Sequence, residues 1–94
     1  MNAKENDRLR KAIPFISKPN LVVITRGINA LPVDEQVEIM ERVRDFNQFI
    51  PDDDPYGEHD FGSFMHNGEK IFWKIDDYAG DEGYNLILTI LFAD

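Results

Sequence analysis

Apolar and polar positions change their period along the chain, and each change marks a predicted element. Residues 21–26 (LVVITR) form a short β-branched run, which is typical of a buried strand. Residues 84–93 are apolar on both faces of a strand, which predicts a central position in a sheet. Residues 3–13 have the polarity of a short surface helix that Pro14 ends.

The longest helical pattern covers residues 32–49. Pro32 suits the first helical position, and Asp34 suits the positive end of the helix dipole. Pro51 closes the segment. Apolar residues of this segment share one half of a helical wheel, which predicts that they face a core. They are Val37, Ile39, Met40, Val43, Phe46 and Ile50.

A β-hairpin is predicted around Asn67-Gly68. This pair favours a two-residue type I′ turn, because both turn positions need a positive φ. Folding about the turn pairs Gly62 with Trp73, and the missing side chain of Gly62 leaves room for the indole ring. Trp73 and Ile71 then share the core face of the hairpin.

The element order α-β-α-β-β-β predicts an α+β fold. We expect a mostly antiparallel four-stranded sheet, packed with one long helix and a short N-terminal helix. A length of 94 residues with 43% hydrophobic residues suits one core, so a single domain over residues 1–94 is predicted. The absence of cysteine, and of an apolar leader in the first residues, favours the cytoplasm.

Charge is divided unevenly along the chain, whose net charge is −8. Residues 1–26 hold six Lys/Arg and two acids, whereas residues 27–94 hold four Lys/Arg and sixteen acids. An acidic body repels nucleic acid and attracts basic surfaces. We therefore expect as partner the basic, nucleic-acid-binding cleft of a protein, with no direct nucleic acid and no membrane. Mutual repulsion favours a monomer, although residues 21–26 could form a sheet edge. The basic segment either docks on the acidic body or is solvated.

The predicted long helix carries a row of carboxylates at spacings of four, three and four residues. These acids are Asp34, Glu38, Glu41 and Asp45. Arg42 and Arg44 project away from the row on the wheel, so we expect them not to neutralise it. Such a row could mimic the phosphates of a nucleic-acid strand for a protein that grips them with Lys and Arg. An ordinary solvated helix face is the alternative.

Two acidic loops supply further candidate residues. The first acidic loop covers residues 51–60 (PDDDPYGEHD), and the second acidic loop covers residues 76–83. The predicted partner-binding acids in them are Asp52, Asp53, Asp54, Glu58, Asp60, Asp76, Asp77, Asp81 and Glu82. Tyr56 and Phe61 are candidate aromatic anchors, with plain packing as their alternative. Loops and helix would form one acidic surface if they lie on the same side.

Metal binding is an alternative function for the first acidic loop. Asp52, Asp54 and Gly57 match the first, third and sixth positions of a calcium-binding EF loop. Tyr56 and Ser63 then occupy the fifth and twelfth positions, where ligands belong, and a strand follows instead of a helix, so the match fails. A divalent-metal enzyme or regulator would be built on Asp52, Asp54, Glu58, His59 and Asp60. A pairing of His59 and His66 with carboxylates is a second way to hold a divalent metal.

Catalytic patterns are weak elsewhere, so we expect neither an enzyme nor a cofactor. The hydroxyl residues lack a nucleophile elbow and a paired base. The glycines are dispersed and precede strands, which does not build a phosphate-binding loop.

Several motifs together resemble a small family of unknown function that occurs on bacterial plasmids and integrated phage elements. They lie at residues 54–62 (DPYGEHDFG), 72–76 (FWKID), 88–91 (LTIL), 6–8 (NDR), 25–28 (TRGI) and 30–32 (ALP). The chain departs from the family at Asp53, where Asn is usual, and at Asp77, where Tyr is usual. Both departures add negative charge.

Within that family the chain is similar to small acidic anti-CRISPR proteins that act on the type I-C Cascade complex. The resemblance implies an acidic mimic of double-stranded DNA. Such a mimic would bind the Cascade large subunit and block recognition of the protospacer-adjacent motif. An antitoxin, or an inhibitor of restriction, would use the same acidic surface and is the alternative.

Overall fold

The structure, a computed structural model, describes residues 2–93. It is an α+β fold with one four-stranded mixed sheet. The elements in chain order are α1 (Ala3–Lys11), β1 (Leu21–Ile24), α2 (Arg26–Asn29), α3 (Val33–Arg44), β2 (Phe61–His66), β3 (Glu69–Asp77), a 3-10 helix (Asp81–Gly83) and β4 (Leu86–Phe92).

The strands lie in the order β1-β4-β3-β2. The pairs β2–β3 and β3–β4 are antiparallel, while β1 pairs with β4 in parallel. The predicted α+β class is confirmed, and the parallel pair makes the sheet mixed. A parallel pair needs a long crossover connection, which the chain between β1 and β4 provides. The last strand is central, as predicted. The prediction of a buried strand over residues 21–26 is wrong, because β1 ends at Ile24, forms an edge of the sheet and is only half-buried.

The predicted hairpin is confirmed in turn type and register. Asn67 and Gly68 have φ values of 49° and 81°, as a type I′ turn requires. Gly62 lies opposite Trp73. A Cβ atom at residue 62 would lie 2.5 Å from Trp73 Nε1, so only glycine fits against the indole ring.

The helices pack on one face of the sheet. Leu9, Ile28, Ile39 and Val43 join Trp73 in the buried core on that face. The opposite face, here called the open face, includes Phe61, Met65, Phe72, Val23 and Leu91, none of which belongs to the core formed by residues 2–93. No helix among these residues is long and apolar enough to cross a membrane.

The long helix is shorter than predicted, because α3 ends at Arg44 rather than at residue 49. The guanidinium of Arg10 ends it: Nη1 donates to the carbonyl oxygens of Val43 and Phe46, at 3.0 and 2.9 Å. Free carbonyls at a helix end need such donors. A cation from α1 therefore caps α3.

Residues after α3 leave the helical path to cover the core. The rings of Phe46 and Phe49 pack edge-on against Trp73, at centroid distances of 5.4 and 6.1 Å. The predicted core positions Val37 and Ile50 are instead 49% and 50% exposed. For Ile50 the reason is that the wheel assumed a helix that continued to residue 49, whereas α3 ends at Arg44. Val37 lies within α3, on the part of its surface that faces solvent.

Candidate functional site

The two acidic loops lie at the same end of the sheet. Strands β2 and β3 are antiparallel, so the loop before β2 lies beside the end of β3. The hydrogen bond from Ile75 N to Asp60 O, at 2.8 Å, continues the pairing up to that loop. The second acidic loop connects β3 with β4 at the same place. We call this the acidic end and the end with Asn67-Gly68 the hairpin end.

Helix α1 fastens the first acidic loop to the body of the protein. The side-chain amide of Asn6 donates from Nδ2 to the carbonyl oxygen of Glu58 at 2.9 Å. His59 Nδ1 lies 3.0 Å from Asp7 Oδ1. The imidazole of His59 also stacks on Phe49, with ring centroids 3.8 Å apart and an interplanar angle of 2°. The loop therefore has one defined conformation relative to α1.

Asp54 lies inside the first acidic loop rather than on its surface. Its side chain is 5% exposed, and its Oδ1 accepts a hydrogen bond from the backbone N–H of His59 at 3.1 Å. Its Oδ2 lies 3.7 Å from His59 Nε2. His59 has a φ of 55°, and these contacts hold that backbone conformation. Because its side chain is buried, Asp54 does not present its carboxylate to a partner, contrary to the expectation from sequence.

Asp7 lies between the guanidinium of Arg10 and the imidazole of His59. Partial burial raises the pKa of Asp7, but hydrogen bonds from Arg10 and His59 outweigh it and hold the pKa below its ordinary value. Arg10 Nη2 lies 2.6 Å from Asp7 Oδ1, and Arg10 itself is 1% exposed. Its guanidinium lies 4.9 Å from the Trp73 ring centroid, which adds a cation–π contact.

The exposed part of the first acidic loop is its tip. Asp52 and Asp53 are exposed, and Tyr56 is 84% exposed between Pro55 and Gly57. Glu58 and Asp60 are half-buried. The two predicted aromatic anchors differ: Tyr56 projects from the tip, whereas Phe61 lies on the open face with its ring 5.3 Å from that of Phe72.

The second acidic loop is held by a hydrogen bond within its own turn. Asp77 Oδ1 accepts from the backbone N–H of Ala79 at 2.8 Å. Asp81 and Glu82 are exposed in the 3-10 helix. Asp76 is half-buried, and its Oδ2 lies 3.3 Å from Lys74 Nζ. Three of the four predicted acids of this loop therefore face solvent.

The acids predicted as a row on α3 are all exposed, but they are not an uninterrupted row of free charges. They are Asp34, Glu38, Glu41 and Asp45. Arg44 Nε lies 2.9 Å from Asp45 Oδ1, and its Nη2 lies 3.9 Å from Glu41 Oε2. The hydrogen bond from Arg44 lowers the pKa of Asp45. The expectation that Arg44 leaves the row unneutralised is wrong, because the long side chain bends back along the helix.

Helix α3 also begins far from the acidic end. Glu35 Oε1 accepts from Asn67 Nδ2 at 2.8 Å, which places the first turn of α3 at the hairpin end. Asp34 therefore lies at the opposite end of the sheet from the two acidic loops. The acids at the acidic end and those at the start of α3 form separate regions.

The basic N-terminal segment divides into structural and exposed cations. Arg10 is buried, whereas Arg8 and Lys18 line a groove that also contains Asp77. The sequence interpretation missed Asn6, Asp7 and Arg10 as residues that shape the site. The three-residue spacing of Asp7 and Arg10 on a predicted helix is the signal that could have revealed this ion pair.

Both histidines contact carboxylates. His66 is 5% exposed, and its Nε2 lies 3.0 Å from Glu35 Oε1. His59 contacts Asp7 and Asp54, as described above. Within residues 2–93, no group of three or more His, Cys, Asp or Glu side chains is arranged to hold a metal ion.

Comparison with known proteins identifies one family. The family described as protein of unknown function (DUF3768) matches residues 24–86. That range includes α2, α3, the first acidic loop, β2, β3 and the second acidic loop, with only the last residue of β1 and the first residue of β4. No curated protein and no solved structure matches the chain.

Proposed function

The chain belongs to the DUF3768 family of proteins of unknown function, and we propose that it is an anti-CRISPR inhibitor that mimics double-stranded DNA. In this proposal the acidic end enters the basic cleft of the type I-C Cascade large subunit. It occupies the place of the protospacer-adjacent motif, so target DNA cannot bind. The protein catalyses no reaction in this role and needs no cofactor.

The observation that carries the proposal is the convergence of two acidic loops at one end of the sheet. Asp52 and Asp53 at the tip of one loop, and Asp77, Asp81 and Glu82 in the other, expose their side chains there. A cleft that binds phosphates through Lys and Arg attracts such a group of carboxylates. The resemblance to anti-CRISPR proteins names the target. The acidic charge of this chain indicates only that the target is a basic, nucleic-acid-binding protein.

Tyr56 adds an apolar contact to this acidic end. An exposed tyrosine is a common anchor in protein interfaces, because its ring buries a large area and its hydroxyl stays hydrogen-bonded. At 84% exposure, Tyr56 contributes little to the core of the free protein. We propose that it enters a pocket in the wall of the cleft. Tyr56→Ala should weaken the complex without changing the unfolding temperature.

The test is DNA binding by purified type I-C Cascade, with and without this protein, at low and moderate salt. We expect wild-type protein to block binding of duplex DNA that carries the motif, with less inhibition as salt increases. Two variants reverse charge at the acidic end, Asp52→Lys/Asp53→Lys and Asp81→Lys/Glu82→Lys. Each should restore DNA binding.

A matched control separates the position of the charges from the net charge. Asp34→Lys/Glu69→Lys changes the net charge equally, but both residues are exposed at the hairpin end. This variant should still inhibit. Inhibition retained by both acidic-end variants, with circular dichroism showing intact folds, would refute the mimic. DNA binding untouched by wild-type protein would direct the search to another nucleic-acid-binding protein.

A further inference from the structure

The outer edge of β2 has unused backbone hydrogen-bonding groups. In an antiparallel pair, alternate residues bond to the neighbouring strand and the residues between them point outward. The bond between Ile75 N and Asp60 O, together with the two-residue turn, fixes this alternation along β2. The N–H and C=O groups of Phe61, Ser63 and Met65 therefore point away from β3, where the sheet ends.

One end of this edge is covered and the rest is free. Arg42 Nη1 donates to the outward carbonyl oxygen of Met65, and its guanidinium lies 4.3 Å from the Phe64 ring centroid. Within residues 2–93, no other group bonds to the outward backbone of Phe61 or Ser63. The outward backbone groups of Phe61 and Ser63 are therefore available to pair with an added strand.

Acidic side chains flank this edge. On α3, Glu38 Oε1 is 4.0 Å from His66 Nδ1 at the end of β2, whereas Asp45 is paired with Arg44. The first acidic loop runs directly into the other end of β2. An extended segment beside β2 would therefore lie between the carboxylate of Glu38 and those of the first acidic loop.

We propose that β2 binds an extended, basic segment of a partner protein as a fifth, edge strand. Strand addition gains its affinity from main-chain hydrogen bonds, and its specificity from alternate side chains. Charge complementarity selects a basic segment over an acidic one or a second copy of this −8 chain. This inference rests on the proposed function in one respect, that the partner is basic. The addition of a strand to β2 is new.

The two faces of the sheet define the sequence pattern of the added segment. Side chains that point to the open face meet Phe61 and Met65, which favours apolar residues. Side chains that point to the other face lie under α3, where Glu38 is one helical turn from Arg42. The net charge of −8 outweighs this one guanidinium and favours Lys or Arg in the added segment. The preferred partner segment thus alternates basic and apolar residues.

The experiment uses two capped peptides of equal charge, (Lys-Val)₄ and (Lys-Gly)₄, titrated against the full chain by NMR. Valine favours a strand, whereas glycine opposes it. We expect the valine peptide to bind about tenfold more tightly, a difference of about 1.4 kcal/mol. The amide signals of Phe61 and Ser63 should shift most.

A proline substitution tests the edge itself. Ser63→Pro removes one outward N–H without removing a bond to β3, because proline is tolerated on an edge strand at such a position. Binding of (Lys-Val)₄ should weaken about tenfold. The control Ser63→Ala keeps the N–H and should bind as wild type. An unchanged melting temperature of the proline variant verifies that β2 is intact.

The outcomes separate this proposal from the proposed function. Equal binding of the two peptides, or unchanged binding by a folded Ser63→Pro variant, would overturn strand addition. If that variant still blocks Cascade while the acidic-end reversals do not, the mimic stands and the edge is not its site. If the valine peptide binds selectively but wild-type protein leaves Cascade active, strand addition stands and the named target fails.

Discussion

The two acidic loops are alike in composition but differ in how the protein holds them. The first is fastened by α1 through Asn6 and Asp7, and its own Asp54 is buried beneath it. The second is closed by a local turn in which Asp77 accepts from the N–H of Ala79. Carboxylates in the first loop are thus divided between structure and surface, while those in the second mostly face solvent.

This difference shows that acid content does not measure how many carboxylates a partner meets. In the first loop, one of the three consecutive aspartates is used to close the loop, and two remain exposed at its tip. Fixing the tip beforehand lowers the entropy cost of binding. We expect the first loop to supply the defined contact and the second to supply mainly long-range attraction. Four predictions test this comparison, in order of decreasing effect.

Arg10→Met should have the largest effect. It keeps the apolar stem but leaves the carbonyls at the end of α3 and the Asp7 carboxylate without their donor. We expect a loss of about 3–5 kcal/mol in the free energy of unfolding, measured with urea. The control Arg8→Met, at an exposed position of the same helix, should remain within about 0.5 kcal/mol of wild type. Equal effects of the two would contradict the role of Arg10.

Asp7→Asn should remove a pH-dependent contribution to stability. The pKa of Asp7 is lowered in the folded state, so the folded state favours the carboxylate. That stability is fully present above the ordinary pKa of 3.8 and is lost as the pH falls through the lower, folded value. We expect Asp7→Asn to lose roughly 1–2 kcal/mol at pH 7.

Thermal unfolding between pH 7 and pH 2 checks this prediction. The difference between wild type and Asp7→Asn should shrink as the pH falls below about 4, the ordinary range of an aspartate. A difference that stays constant down to pH 2 would show that Asp7 stabilises the fold by something other than its charge.

Asp54→Ala and Asp77→Ala form a matched pair, one from each loop. Asp54→Ala leaves the N–H of His59 without its acceptor, and we expect a loss of about 1 kcal/mol because this hydrogen bond is only partly buried. Asp77→Ala opens an exposed turn and should change stability by less than about 1 kcal/mol. Hydrogen exchange should accelerate at His59 in the first variant and only at Ala79 in the second.

Glycine at a positive φ should have opposite effects in the two loops. Ala79 and His59 have nearly the same φ, 52° and 55°. Ala79→Gly relieves backbone strain and should stabilise the protein by up to about 1 kcal/mol. His59→Gly relieves the same strain but loses the contacts to Asp7, Asp54 and Phe49, so it should destabilise. Melting temperatures that change in the same direction would contradict the difference between the loops.

The sequence alone determined the features that depend on near neighbours in the chain. The Asn67-Gly68 turn, the register that places Gly62 against Trp73, and the central last strand were all predictable. A two-residue turn fixes the register of its hairpin, and an apolar run on both faces is typical of a strand with a neighbouring strand on each side. The α+β class followed from the order of these elements.

Only the tertiary structure decided where α3 ends, which carboxylates are exposed and where each charged group lies. The end of α3 depends on Arg10, more than thirty residues away in the chain. The burial of Asp54 depends on its loop folding back beneath His59, itself fastened to α1. The number of acids can be read from the sequence. A helical wheel or a loop pattern, however, contains no information about contacts with side chains of another element. Long-range contacts assign each carboxylate to structure or to surface, because burial and pairing are properties of the packed chain.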